Sequence, residues 1–168
     1  ITTNSTTKLS HTMPSGYGSN FTIELWVKMP TAGIYVQSAA MYTGGGFINY
    51  IQAPGTNDDL QWASYTGTTD YYNPTVDVSV GVWHQIVQSY SSNIRYGWID
   101  GSSVATSTRG SGRTAAGANA SIDYGFLPWG SSNSFVLDLG IIRVYTDTLT
   151  NAEVLHNYNA NKSDFGLS

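Results

Sequence analysis

Cysteine is absent from this 168-residue chain, so neither a disulfide framework nor a thiolate metal site holds it together. None is needed, because a chain of this length buries roughly 70% of its unfolded surface around one core. The absence leaves the redox compartment open, since a large β-sandwich needs no bridges outside the cell. Charge is scarce too: Asp, Glu, Lys and Arg make up 11% of the residues, against roughly 25% in ordinary soluble proteins. The surface must then be covered by Ser, Thr, Asn, Gly and Tyr. The seven Lys and Arg are scattered and the net charge is −4, which excludes nucleic acid as a partner, because phosphate binding requires a clustered basic footprint. No apolar run approaches the ~20 residues of a membrane-spanning helix, so membrane insertion is not expected, and no charged-then-apolar leader is seen. The chain begins at Ile1 rather than Met, as expected of a processed or trimmed terminus.

The machinery of common enzymes is also missing. Glutamate occurs only at positions 24 and 153, and no acid stands two residues from another on a strand, so the paired carboxylates that flank a glycosidic bond are lacking. Glu24 reads as a surface or hydrogen-bonded strand residue. There is no Gly-x-Ser-x-Gly elbow, no His-Glu-x-x-His and no Cys nucleophile. Gly110-Ser-Gly-Arg-Thr-Ala115 has dinucleotide-like glycines but no helix following it. His11 and His156 have no companions at ligand spacing, and His84 reads as a strand histidine with a satisfied ring. The protein is therefore expected not to be an enzyme.

What the chain does carry is a regular alternation of turns and short strands. Turn signals recur at Pro14-Ser-Gly16, Pro30-Thr-Ala-Gly33, Gly44-Gly-Gly46, Pro54-Gly-Thr-Asn57, Asn73-Pro74, Ser91-Ser-Asn93 and Asp100-Gly101, a spacing that predicts an antiparallel sandwich. In the segment 21–27, Phe21, Ile23, Leu25 and Val27 share one face and Thr22, Glu24 and Trp26 the other. The aliphatic face should point between the sheets. Further strands are predicted near 34–42, 47–53, 59–66, 82–90, 94–100, 120–126 and 134–145, with Trp83, Ile142 and Val144 interior. Gly110 to Ala120 reads as a long loop. Thr150-Asn-Ala-Glu153 has capping-box spacing and predicts a helix start, with Val154, Leu155 and Tyr158 on its apolar side. Residues 159–168 read as a polar tail that closes back on the fold or reaches a neighbour.

Three ordered segments give the chain a family likeness: Phe21-Thr-Ile-Glu-Leu-Trp-Val27; then Trp83-His-Gln-Ile-Val-Gln-Ser-Tyr90 leading to Trp98-Ile-Asp-Gly101; then Leu139-Gly-Ile-Ile-Arg-Val-Tyr145 followed by Leu149-Thr-Asn-Ala-Glu153. In this order they resemble a laminin-G-like domain of the concanavalin A-like jelly-roll superfamily, over roughly residues 6–166. The resemblance implies one all-β domain spanning 1–168, an antiparallel two-sheet jelly roll with a short C-terminal helix packed on the sandwich edge. One departure stands out: Arg95-Tyr-Gly-Trp-Ile-Asp-Gly101 carries Gly97 where members commonly have a core aliphatic. Either Tyr96 and Trp98 fill the space, or the backbone approaches something closely.

Such folds usually bind glycans or proteins. Twelve Tyr and five Trp supply the rings that sugar faces need, although large aromatics also fill cores, as read for Trp26 and Trp83. The expected ligand surface is the rim or sheet face around Tyr65, Asp70, Tyr71, Tyr72 and Asn73. The resemblance also implies a calcium site in rim loops, with Asp58, Asp59 and Asp70 as the hard oxygen ligands this ion prefers; no other cofactor is expected. The ending Tyr158-Asn-Ala-Asn-Lys-Ser-Asp-Phe-Gly166 is similar to laminin-G-like domains of phage and virion proteins. The expected role is a virion-surface or extracellular structural and recognition module, with capsid, fibre or other assembly proteins, a glycan, or further copies forming a homo-oligomer as partners. A free-standing lectin-like domain of a secreted protein is the alternative.

Overall fold

The computed structural model describes residues 9–12, 20–28, 36–42, 48–53, 61–65, 69–72, 78–91, 94–108, 121–124 and 138–168, with side chains at 12, 20–28, 78–91, 94–104 and 138–168. Among these lie strands β1 (Leu9–Thr12), β2 (Asn20–Lys28), β3 (Val36–Tyr42), β4 (Ile48–Ala53), β5 (Gln61–Tyr65), β6 (Thr69–Tyr72), β7 (Trp83–Ser91), β8 (Ile94–Ile99), β9 (Ser102–Thr108), β10 (Ser121–Tyr124) and β11 (Asp138–Tyr145), then helix α1 (Asn151–Asn161) and a 3₁₀ helix (Lys162–Phe165). All pairings are antiparallel, in a six-stranded sheet of order β1-β10-β3-β4-β5-β6 and a five-stranded sheet of order β11-β2-β7-β8-β9. This is the jelly-roll architecture with one C-terminal helix that the sequence predicts. The eight strands expected from alternation are present, and β1, β6 and β9 are additional. Asp70, expected in a rim loop, lies within β6 instead, while the loop read at 110–120 lies outside the described residues.

Both faces of β2 are buried. Phe21, Ile23, Leu25 and Val27 form one face, and Thr22, Glu24 and Trp26 on the other are also 0% exposed. The helix explains this. It lies across the outer face of the five-stranded sheet rather than at the sandwich edge, with Val154 packed against Val87 and Trp98 and Tyr158 stacked over Trp26 at 5.8 Å. Its N-terminus has the predicted capping box: the Thr150 hydroxyl accepts from the Glu153 amide, and the Glu153 carboxylate accepts from the Thr150 amide. The bond from the Thr150 amide, with a second from its hydroxyl, holds the Glu153 carboxyl below its ordinary range. Trp83, Ile142 and Val144, expected to be interior, are half-buried. Trp83 opens its strand, and among the described strands β11 lies at the edge of its sheet, paired with β2 alone.

The polar tail is ordered helix. The α1 helix runs into the 3₁₀ turn, which ends at Gly166 in the left-handed region with φ 75°, and Phe165 folds back onto Trp26 with ring centroids 4.4 Å apart. It also meets Trp83 at 4.8 Å. Phe165 can dock because position 140 is glycine, where an added Cβ would meet its Cζ at 2.6 Å and Trp83 Cζ3 at 3.2 Å. Gly140→Ala should therefore cost about 1–3 kcal/mol in urea denaturation, as overpacking does. An unchanged midpoint would mean that Phe165 docks loosely. At Gly97 the backbone resolves the departure noted above. A β-bulge between Gly97 and Trp98 interrupts the pairing with β9, and Trp98, stacked on Tyr96 at 6.1 Å, turns into the helix-facing core.

Candidate functional site

The most highly connected side chain described is Glu24. Its Oε1 accepts from Arg143 Nη1 at 2.9 Å, Gln85 Nε2 at 3.0 Å and Trp26 Nε1 at 3.4 Å, and its Oε2 from Tyr145 Oη at 2.8 Å and Asn157 Nδ2 at 3.0 Å. These donors come from β2, β7, β11 and α1, which the register aligns: Arg143 lies opposite Glu24 on one side and Val87 on the other. A carboxylate so fully occupied has no lone pair left for a substrate proton. It is hydrogen-bonded, as the sequence suggested, but lies beneath the helix and not at the surface. Burial, followed by the hydrogen bond and charge of Glu24, pushes the Tyr145 hydroxyl from 10.0 up to about 12.

A pH dependence follows from that shift. The protonated phenol is favoured in the folded protein, so its contribution is fully present below pH 10 and is lost as pH rises through about 12. Stability in urea should fall across this window, and Tyr145→Phe should flatten the decline. Parallel curves for the two proteins would sever the link to Glu24.

At the β8–β9 turn, Asp100 and Gly101 have φ of 50° and 76°, both left-handed, as a two-residue hairpin requires. The Asp100 carboxylate accepts from the Gln85 amide at 2.9 Å and pairs with His84 Nδ1 at 2.8 Å. The imidazole Nε2 is buried without a partner, so the ring is only half satisfied. This pair fixes the hairpin against β7.

Of the residues singled out from sequence, Tyr65, Asp70, Tyr71 and Tyr72 lie on described strands. Asp58, Asp59 and Asn73 lie outside the described residues, and among the described ones no cluster of three His, Asp or Glu could hold a metal. Tyr65, Asp70, Tyr71 and Tyr72 lie on β5 and β6, where Tyr65 opposes Thr69, Ser64 opposes Asp70, Ala63 opposes Tyr71 and Trp62 opposes Tyr72. Directly opposed residues share a face and neighbours alternate. Tyr65 and Tyr71 therefore fall on one face of the six-stranded sheet, and Asp70 and Tyr72 on the other with Trp62.

The same rule, carried across the sheet, adds residues that sequence reasoning missed. Tyr42 opposes Ile48 and Tyr50 opposes Ala63, with Ile48 in turn opposite Tyr65. Tyr42 and Tyr50 thus join Tyr65 and Tyr71 on one face, and Gln37, Gln52 and Gln61 form a row beside them. Thr12 falls on this face through Ser121 and is exposed. The opposite face carries Val36, Met41, Ile51, Trp62 and Ile122 together with His11, Asn49, Ser64 and Asp70. Alternation within each strand was legible beforehand; which strands are neighbours was not.

Comparison with known proteins agrees with this architecture. A family model, Laminin_G_3 of the concanavalin A-like lectin/glucanases superfamily, matches residues 2–155. Domain 4 of AbnA, a GH43 extracellular arabinanase from Geobacillus stearothermophilus, solved in complex with arabinotriose, is similar with a TM-score of 0.67 at 19% identity, over 86% of this chain and 70% of that one. A heptameric SAP-like pentraxin from Limulus polyphemus has a TM-score of 0.67 at 15% identity, over 92% and 74% of the two chains. The binding domain of botulinum neurotoxin DC, in complex with rat synaptotagmin II, has a TM-score of 0.70 at 11% identity, over 95% of this chain and 42% of that one. No curated protein matches the sequence.

Proposed function

The chain belongs to the Laminin_G_3 family of the concanavalin A-like lectin/glucanases superfamily, and from that premise we propose that it is a non-enzymatic recognition module on a virion or extracellular surface, binding glycan or an assembly partner. The observation that carries this reading is the complete engagement of Glu24. The single acid on its strand is 0% exposed and accepts five hydrogen bonds within the fold, and the other glutamate caps a helix. A lectin-like fold whose glutamates are both structural favours binding over hydrolysis. The arabinotriose held by the arabinanase domain supports a carbohydrate ligand here. The low charge and the ending at 158–166 support a virion or fibre setting with capsid or fibre proteins, or further copies, as neighbours. Calcium at Asp58, Asp59 and Asp70 remains part of the proposal, tested by a calcium-dependent rise in melting temperature.

Incubation with laminarin, agar, carrageenan and alginate should release no reducing ends, while a glycan array or a pull-down of assembly proteins should show retention. Turnover abolished by Glu24→Gln in a folded protein would overturn the non-enzymatic half. A protein that binds neither glycans nor assembly proteins would overturn the recognition half.

A further inference from the structure

We draw no further inference here: the strongest candidate, the side-chain cluster of His84 and Asp100 at the β8–β9 turn with its buried, unpartnered imidazole Nε2, carries nothing, because among the described residues no third His, Asp or Glu joins it to make a ligand site and the pair is already accounted for in fixing the hairpin against β7.

Discussion

Glu24→Ala should lower stability by about 3–5 kcal/mol, the penalty for breaking a buried ion pair and stranding its partners, and should release α1 from the sheet. Removal of this one side chain leaves the Arg143 guanidinium without its carboxylate and the Gln85, Tyr145 and Asn157 donors without an acceptor. The loss is concentrated because the carboxylate is 0% exposed, so no water replaces it without opening the helix. Glu24→Gln tests the account more finely. The amide keeps the volume but presents a donor to at least one existing donor and gives up the charge, so a smaller loss of about 1–3 kcal/mol is expected. Urea denaturation with hydrogen exchange of the α1 amides would check both variants. A loss below ~1 kcal/mol for Glu24→Ala, against the several expected for a buried pair, would show that α1 is held by apolar packing alone.

Truncation of Trp26 should be comparably severe, at about 3–5 kcal/mol for a large buried aromatic. The ring is 0% exposed and lies between Tyr158 at 5.8 Å and Phe165 at 4.4 Å, nearly parallel to both. Removing it leaves a cavity under the junction of α1 and the 3₁₀ turn, and Phe165 loses the ring it stacks upon. Exchange protection should therefore collapse at 158–165 before it changes in β7. Trp83→Ala should cost clearly less, because Trp83 is half-buried with Lys28 5.4 Å above its ring. If Trp83→Ala proved the more damaging of the two, the C-terminal segment would not be anchored through Trp26.

Much of this was written in local sequence. Strand alternation with regular turns fixes an antiparallel sandwich because side chains alternate with period two. The Thr150 to Glu153 spacing fixes the helix start because a cap needs only four consecutive residues. Asp100-Gly101 fixes a hairpin because both positions have left-handed φ. The family likeness, carried by the three motif segments, is likewise legible, and the match over 2–155 agrees with it.

Other features depend on contacts between residues far apart in the chain, and only the tertiary structure decides those. Glu24 looked like an ordinary strand acid until β11 and α1, more than a hundred residues later, covered it with Arg143 and Asn157. The final segment looked like a polar tail because its single aromatic, Phe165, finds its place only against Trp26 and the bare backbone of Gly140. Tyr71 and Tyr72, adjacent in sequence, fall on opposite faces of a strand, whereas Tyr42 and Tyr71, far apart in sequence, share one. Local spacing says which residues alternate along a strand. Which strands become neighbours, and in what register, is settled by burial and cross-strand hydrogen bonding over the whole chain.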